Sequence, residues 1–370
     1  MFNLFDLRLL RRLDWVILPA LILLLGLGVA ALKSTAQARP AIGLLVGKQI
    51  IWIAAGFAFM CLAALIDYRA LARWYHQIYW LNIALLVTVL ILGHSSKGAQ
   101  RWIPLGPFML QPSEICKLTV IVTLAVYLSS VKTDISSFSS FMGALKHIAL
   151  PILLIAAQPD LGTALVIIAI LGGMLLVSGA GAKHLAASAG LLLALFPLIW
   201  RYGLRDYQKR RLTGFLNPLA DPLGTSYQLN QSKIAIGSGR LFGQGLFQGS
   251  QKDLSFIPEQ HTDFIFTVIG EELGFMGGLA LLALFGIILW RGFLIMTESE
   301  DILGALMVTG ILSMLAFHIF INLGMITGIM PTTGIPLPFI SYGGSAMITD
   351  MTAIGLLLGI GMRRNKLMFF

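Results

Sequence analysis

With 370 residues, 57% of them hydrophobic and only 12% charged, the chain departs far from the soluble average of about 25% charged residues. That composition excludes an ordinary water-soluble domain. The formal net charge of +9 rests on few residues, so where they fall along the chain is informative.

Crossing a hydrocarbon core of roughly 30 Å takes about 20 helical residues, and apolar runs of that length recur throughout. Ten spans are predicted, at about 14–34, 48–67, 74–93, 112–130, 141–158, 160–179, 183–201, 263–292, 303–330 and 341–362. The runs are continuous rather than alternating, which excludes a β-barrel. The chain reads as an all-α integral membrane protein, a single polytopic domain over residues 1–370. It has about ten transmembrane helices and one large loop, 201–262, between spans seven and eight. The fifth and sixth spans are separated only by Gln158-Pro159-Asp160, so one of them is a candidate re-entrant segment.

At the N-terminus, basic residues precede an apolar run from Trp15 to Leu32. That run is longer than the 7–15 residues of a signal-peptide core, so it reads as the first span. Arg8, Arg11, Arg12, Arg69, Arg73, Arg363, Arg364 and Lys366 all fall on one side of a ten-span chain, against Arg39, Lys97 and Arg101 on the other. The positive-inside bias places both termini in the cytoplasm and the long loop outside. Cys61 and Cys116 lie in predicted spans and form no metal-ligand spacing.

Ionisable residues inside spans are costly and point to function or to pairing. Glu114 and Lys117 are three apart, hence on one helix face. They pair with each other to fix helix register, or Lys117 holds an anionic headgroup or Glu114 orients a cation beside it. Asp160 stands where an N-cap opens the sixth span. Glu271 and Glu272 lie about two turns into the eighth span, below Asp263, and at least one of them needs a partner or a water-filled cavity. Asp263 itself marks the junction where the long polar loop runs back into an apolar helix. The loop is basic, with Arg210, Arg211 and Lys233 among its cations, which fits either an anionic ligand or a solvated face. Its apolar pairs Leu241-Phe242 and Leu246-Phe247 suit short elements lying in the outer interface.

Soluble-enzyme motifs are absent. The glycines from Gly237 to Gly243 have the wrong spacing for a dinucleotide fingerprint, and no Walker loop or zinc helix occurs. Ser341-Tyr342-Gly343-Gly344-Ser345 lacks the strand-turn-helix context of a hydrolase nucleophile and reads as a flexible helix start. Gly355 and Gly359 read as helix-packing positions.

Six strings, in order, resemble the SEDS family: Lys97-Gly98-Ala99-Gln100-Arg101-Trp102, Gln111-Pro112-Ser113-Glu114, Gln158-Pro159-Asp160-Leu161-Gly162-Thr163, Gln231-Ser232-Lys233 with Gly237-Ser238-Gly239, His261-Thr262-Asp263-Phe264, and Pro336-Leu337-Pro338-Phe339-Ile340-Ser341-Tyr342-Gly343-Gly344-Ser345. The first and fourth are closer to the elongation branch of that family than to its division branch. The resemblance implies a ten-span peptidoglycan glycosyltransferase of the bacterial cytoplasmic membrane, polymerising Lipid II on the outer face during cell elongation. It implies a single-pass class B penicillin-binding transpeptidase as partner, besides membrane lipid, and no nucleic acid. It places the essential loop carboxylate on Asp263, the paired Glu and Lys on Glu114 and Lys117, a further acid on Asp160, and a basic position on Lys97 or Arg101.

The chemistry agrees with these residue types. A sugar linked to a lipid pyrophosphate already carries a good leaving group, so one carboxylate acting as general base suffices, unlike the paired carboxylates of glycoside hydrolases. Charge developing on the pyrophosphate calls for Arg or Lys, with Arg101, Arg210, Arg211, Lys117 and Lys233 as candidates, or for a divalent cation. The expected site is an outward cavity lined by Asp263 and at least two of these cations. Two other classes remain open: a flippase of lipid-linked precursor, with Glu114, Lys117, Glu271 and Glu272 lining its path, and a scaffold that only recruits a transpeptidase.

Overall fold

The computed structural model describes residues 11–38, 43–96, 99–105, 108–131, 137–217, 225–249, 257 and 260–364. Nine of the described helices are long and apolar enough to cross a membrane. They are α1 (Ile17–Ala38), α2 (Gly43–Leu65), α4 (Tyr75–Leu92), α5 (Pro112–Ser130), α6 (Phe138–Ala157), α7 (Leu161–Ser178), α12 (Gly274–Thr297), α13 (Ile302–Thr327) and α14 (Gly344–Met362). Between them lie the short α3 (Tyr68–Arg73), α8 (Ala182–Leu198), α9 (Asp206–Leu216), α10 (Thr225–Ser238) and α11 (Ile265–Glu272). The seventh predicted span corresponds to α8, an apolar helix shorter than the other nine, which continues through a π-helical turn, Ile199–Gly203. The fifth and sixth predicted spans, α6 and α7, are both full-length helices.

Local chemistry explains several helix starts. Pro112 opens α5 at the first turn, where its missing N–H costs no hydrogen bond. Asp160 caps α7 and Asp301 caps α13, each accepting the N–H three residues on. The chain also forms a small antiparallel ribbon between α4 and α5, of β1 (His94–Ser96), β2 (Ala99–Leu105) and β3 (Phe108–Leu110), in the order β1-β2-β3. Sequence periodicity gave no sign of it, because strands of three to seven residues carry too few alternations to register.

The core is a packed column of α5, α7, α13 and α14, with Val120, Ile121, Ile167, Ile170, Met307, Ile311 and Ile354 fully or almost fully buried. α2 lies along α14 at close range. A Cβ at Gly355 would collide with the Met60 carbonyl, and one at Gly359 would stand 2.9 Å from the Ala64 carbonyl. Small residues four apart permit this approach, where lipid supplies no hydrophobic drive and packing must hold the helices together. The predicted packing role of both glycines holds.

Two ends of the bundle differ sharply. At one end Arg69 pairs with Glu300 and Asp301, both at 2.8 Å, Arg291 and Arg364 pair with Asp14, and Arg364 with Glu298. These residues lie in α3, at the start of α1 and α13 and at the ends of α12 and α14, so the first and last described residues share that face. Desolvation pushes the Asp301 carboxyl up, but hydrogen bonds from the Gly304 N–H, Arg69 and Tyr68 outweigh it and leave the group below the usual carboxylate range. The opposite end carries the β-ribbon, α9, α10 and Asp263.

One prediction fails here. The eighth span is not a continuous helix from Asp263 but breaks at Leu273-Gly274 into α11 and α12. In a straight helix Phe266 and Gly278 would lie about 18 Å apart along the axis, yet the Phe266 ring comes within 3.4 Å of a Cβ placed at Gly278. The chain therefore doubles back at an elbow, and Gly274, at φ +65°, supplies the left-handed backbone it needs. Glu271 and Glu272 consequently sit at the elbow, not along a channel descending from Asp263. Ser34 of α1 donates to the Glu272 carboxylate. The Gln244 and Gly245 N–H groups donate to the backbone carbonyls of Glu271 and Glu272 at 3.0 and 3.1 Å.

Candidate active site

Asp263 stands two residues before α11 and is half-buried. Its backbone carbonyl accepts from Asn322 Nδ2 at 2.9 Å, and the same nitrogen donates to the Ile335 carbonyl at 2.8 Å. The preceding carbonyl, of Thr262, accepts from Ser341 Oγ at 2.7 Å, while Ser341 Oγ accepts from the Leu337 N–H at 2.9 Å. Ser341 and Tyr342 thus bind the loop ahead of α14 to the turn ahead of α11, since the Tyr342 N–H also donates to the His261 carbonyl at 3.0 Å. Gln49 of α2 fastens the other side, donating to the Ser341 carbonyl at 3.2 Å. Burial pushes the Tyr342 hydroxyl above its ordinary range. The string read as a flexible helix start is in fact the brace of the Asp263 turn.

The Asp263 carboxylate faces Gly334. A Cβ at Gly334 would lie 3.3 Å from Asp263 Oδ2 and 3.4 Å from Arg211 Nη1, so a carboxylate and a guanidinium border the same small space. Arg211 comes from α9, is half-buried, and its guanidinium carbon lies 5.8 Å from the centroid of the Tyr207 ring. Tyr207 in turn donates to the Pro159 carbonyl at 2.8 Å. Neighbouring α7 packs on the same loop, since a Cβ at Gly162 would stand 3.0 Å from Ile335.

Arg101 of β2 stands next to this group. It donates to the carbonyls of Gln158, at 3.2 Å, and Pro159, and lies 3.6 Å from the Asp160 carboxylate. Asp160 also accepts from Thr163 Oγ1 at 2.9 Å, Gln111 Nε2 at 3.2 Å and Ser113 Oγ at 3.3 Å. It is more than a cap: it joins the α5 and α7 starts to the ribbon. The chain of contacts from Arg101 through Pro159, Tyr207 and Arg211 to Gly334 and Asp263 is continuous.

Other predicted residues fall elsewhere. Glu114 and Lys117 form a buried pair at 2.7 Å, with Lys117 only 1% exposed. Lys117 also reaches His318 Nε2 at 3.1 Å. Because His318 Nδ1 donates to the Met314 carbonyl at 2.7 Å, its Nε2 is the acceptor for the ammonium. Asp350 of α14 lies in the electrostatic field of both Lys117 and Glu114. Lys233 is exposed on α10, its Nζ beside Gly328 at the carbonyl end of α13, where a cation is favoured. Arg210 is exposed on α9. Lys97 lies outside the described residues.

Of the two cations expected to line a cavity with Asp263, one, Arg211, borders the carboxylate, and Arg101 stands one layer away. A hollow of about 780 Å³ lies apart from them, along Gly237–Gln244. Among the described residues no three His, Cys, Asp or Glu side chains converge in a metal-holding group. Sequence reading missed Asn322, His318 and Ser341. An Asn and a His among apolar neighbours in α13 were the available signal, by the rule that polar groups inside spans need partners.

The family of cell cycle proteins FtsW, RodA and SpoVE matches residues 11–366. The chain is 41% identical over 351 residues to the peptidoglycan glycosyltransferase MrdB of Escherichia coli K12, covering 94% of this chain and 93% of that one. It is 40% identical to the stage V sporulation protein E of Bacillus subtilis, covering 85% and 86%. Among solved structures it superposes with a TM-score of 0.82 and 30% identity on a chain from work on the structural coordination of polymerization and crosslinking by a peptidoglycan synthase complex, over 96% of this chain and 99% of that one. With the rod shape determining protein RodA of Thermus thermophilus the TM-score is 0.71 and the identity 29%, over 96% and 98%. By sequence over nearly its whole length and by the path of its helices, this multi-span membrane protein belongs to the FtsW/RodA/SpoVE family, the SEDS proteins.

Proposed function

We propose that this protein is a peptidoglycan glycosyltransferase of the elongation type that polymerises Lipid II, with Asp263 as general base. The observation that carries the reading is the approach of the Asp263 carboxylate and the Arg211 guanidinium to one point at Gly334. The names of its relatives support the activity.

In the reaction an acceptor sugar hydroxyl attacks the anomeric carbon of the donor. A new carbon–oxygen bond forms there, the bond to the pyrophosphate oxygen breaks, and undecaprenyl pyrophosphate leaves. Asp263 takes the hydroxyl proton, a role that contributes about 10²–10⁴-fold in other enzymes. Arg211 meets the negative charge spreading onto the leaving diphosphate, its planar fork matching two oxygens at once. Arg101 is committed to the Pro159 turn and Asp160, so its role is to hold the site's rim. A divalent cation, if one accompanies the pyrophosphate, would further neutralise the negative charge on the leaving group.

The ionic network at the termini end supports a cytoplasmic face there, by the positive-inside bias, with Asp263 on the outer side of the bacterial inner membrane. The 1–370 chain acts as one polytopic domain, and a class B penicillin-binding transpeptidase is the partner that would cross-link the strands.

The test uses purified protein with its transpeptidase partner and Lipid II in detergent, where there are no two sides to cross. Wild type is expected to make glycan strands on a gel, and Asp263→Asn to lose them. No product from wild type would favour a flippase or a scaffold. Undiminished product from Asp263→Asn would remove Asp263 from the chemistry.

A further inference from the structure

We infer that Asn322 is a positioning residue of the site, a side chain that ties the Asp263 turn directly to the Gly334-Ile335 turn. This rests on the reading of Asp263 as the base and adds a residue that the motifs do not contain.

Asn322 lies in α13, within the packed column, and is fully buried. Its Nδ2 carries two N–H donors, and both are used on backbone carbonyls that belong to different loops, Asp263 at 2.9 Å and Ile335 at 2.8 Å. Its Oδ1 is buried without a hydrogen-bond partner among the described residues. A buried acceptor left unmet is unfavourable, so an amide belongs here for its donors. Those donors act on the carbonyl of the proposed base itself and on the residue next to Gly334, the point where Asp263 and Arg211 converge. A helix anchored in the core thus controls both sides of the reacting space through one nitrogen. One turn earlier on the same helix face, His318 holds the Lys117–Glu114 pair, which fixes the rotation of α13 beneath Asn322.

The consequence is a separation of effects. Asn322 touches no substrate in this scheme, so its loss should leave binding of Lipid II intact and lower the rate of the chemical step. Misplacement of a reacting group by about 1 Å costs on the order of 100-fold. The near-isosteric Asn322→Asp replaces the two donors with acceptors aimed at carbonyls, while Asn322→Gln keeps both donors on a longer arm.

The experiment compares wild type, Asn322→Asp, Asn322→Gln and Asp263→Asn in the full chain with its transpeptidase partner, reading strand synthesis against Lipid II concentration. Hydrogen–deuterium exchange of the segments around 260–268 and 330–340 is read on the same preparations. Expected are a fall in kcat of about 10–100-fold for Asn322→Asp with KM within about twofold, partial rescue by Asn322→Gln, and faster exchange in both segments together. Unchanged exchange in either segment, or an Asn322→Asp variant with wild-type kcat beside an inactive Asp263→Asn, overturns the positioning role. A variant that misfolds would instead show raised exchange across α5 and α14, and Asn322→Gln then decides: loss of kcat without that global change upholds the proposal, and wild-type kcat overturns it. An active Asp263→Asn is a different failure, that of the general-base reading.

Discussion

Asp263 and Arg211 approach each other across a residue that has no side chain. Gly334 sits at φ +76°, with the carboxylate oxygen 3.3 Å and the guanidinium nitrogen 3.4 Å from where its Cβ would be. A methyl there would stand against both groups, and the left-handed backbone disfavours a side chain on conformational grounds as well.

Gly334→Ala should therefore act twice. Holding Ala at that φ costs roughly 1–3 kcal/mol, visible as a lower Tm in detergent, and the new methyl pushes between the two charges. Strand synthesis should fall more steeply than the Tm shift explains; equal losses would place Gly334 in folding alone.

Arg211 is proposed to meet diphosphate charge with a two-pronged fork. Arg211→Ala should lower kcat/KM by about 10–100-fold, the range of a lost charge-assisted contact of roughly 1.5–3 kcal/mol. Arg211→Lys should recover only part, because a point charge lacks the planar geometry. Full activity in the lysine variant would show that charge alone matters.

Glu114 and Lys117 are nearly sealed from solvent, so breaking one partner is worse than removing both. Lys117→Met leaves a buried carboxylate beside Asp350 and should destabilise by about 3–5 kcal/mol. Adding Glu114→Leu should restore much of that loss. Thermal unfolding of the two single variants and the double variant measures the difference, and a double variant less stable than both singles would contradict it.

Asp301, at the termini end, predicts an acid limit. Its carboxyl is held below the ordinary 3.8 by the Gly304 N–H, Arg69 and Tyr68, against desolvation. A depressed carboxylate contributes stability that is fully present above its unfolded value and is lost as pH falls through the folded one. Unfolding followed from pH 6 to pH 3 should show wild type weakening below about pH 4, with a shallower fall in Asp301→Asn. Parallel curves would remove Asp301 from the cause.

Much of this fold was legible in the sequence because a span is a local property. Twenty apolar residues are apolar wherever the chain goes, so α1, α2, α4 to α7, α13 and α14 fall close to their predicted ranges. Asp160 as a cap and Gly355 and Gly359 as contact points were likewise readable from short spacing. The elbow at Gly274 was not, since Phe264 to Trp290 is one unbroken apolar run apart from Glu271 and Glu272. Breaking it depends on the 239–245 loop packing against its backbone.

The sequence by itself determined a polytopic helical membrane protein with a lone carboxylate at the head of an apolar helix, because hydrophobic length and charge placement are written residue by residue. Only the tertiary structure decided which groups keep company: Arg211 rather than Lys117 or Lys233 borders Asp263, and Asn322, about sixty residues away, holds its carbonyl. The physical reason is that loops between spans bear few hydrophobic constraints of their own. Their paths are set by hydrogen bonds to buried polar atoms on distant helices, and no pattern within either segment announces those partners.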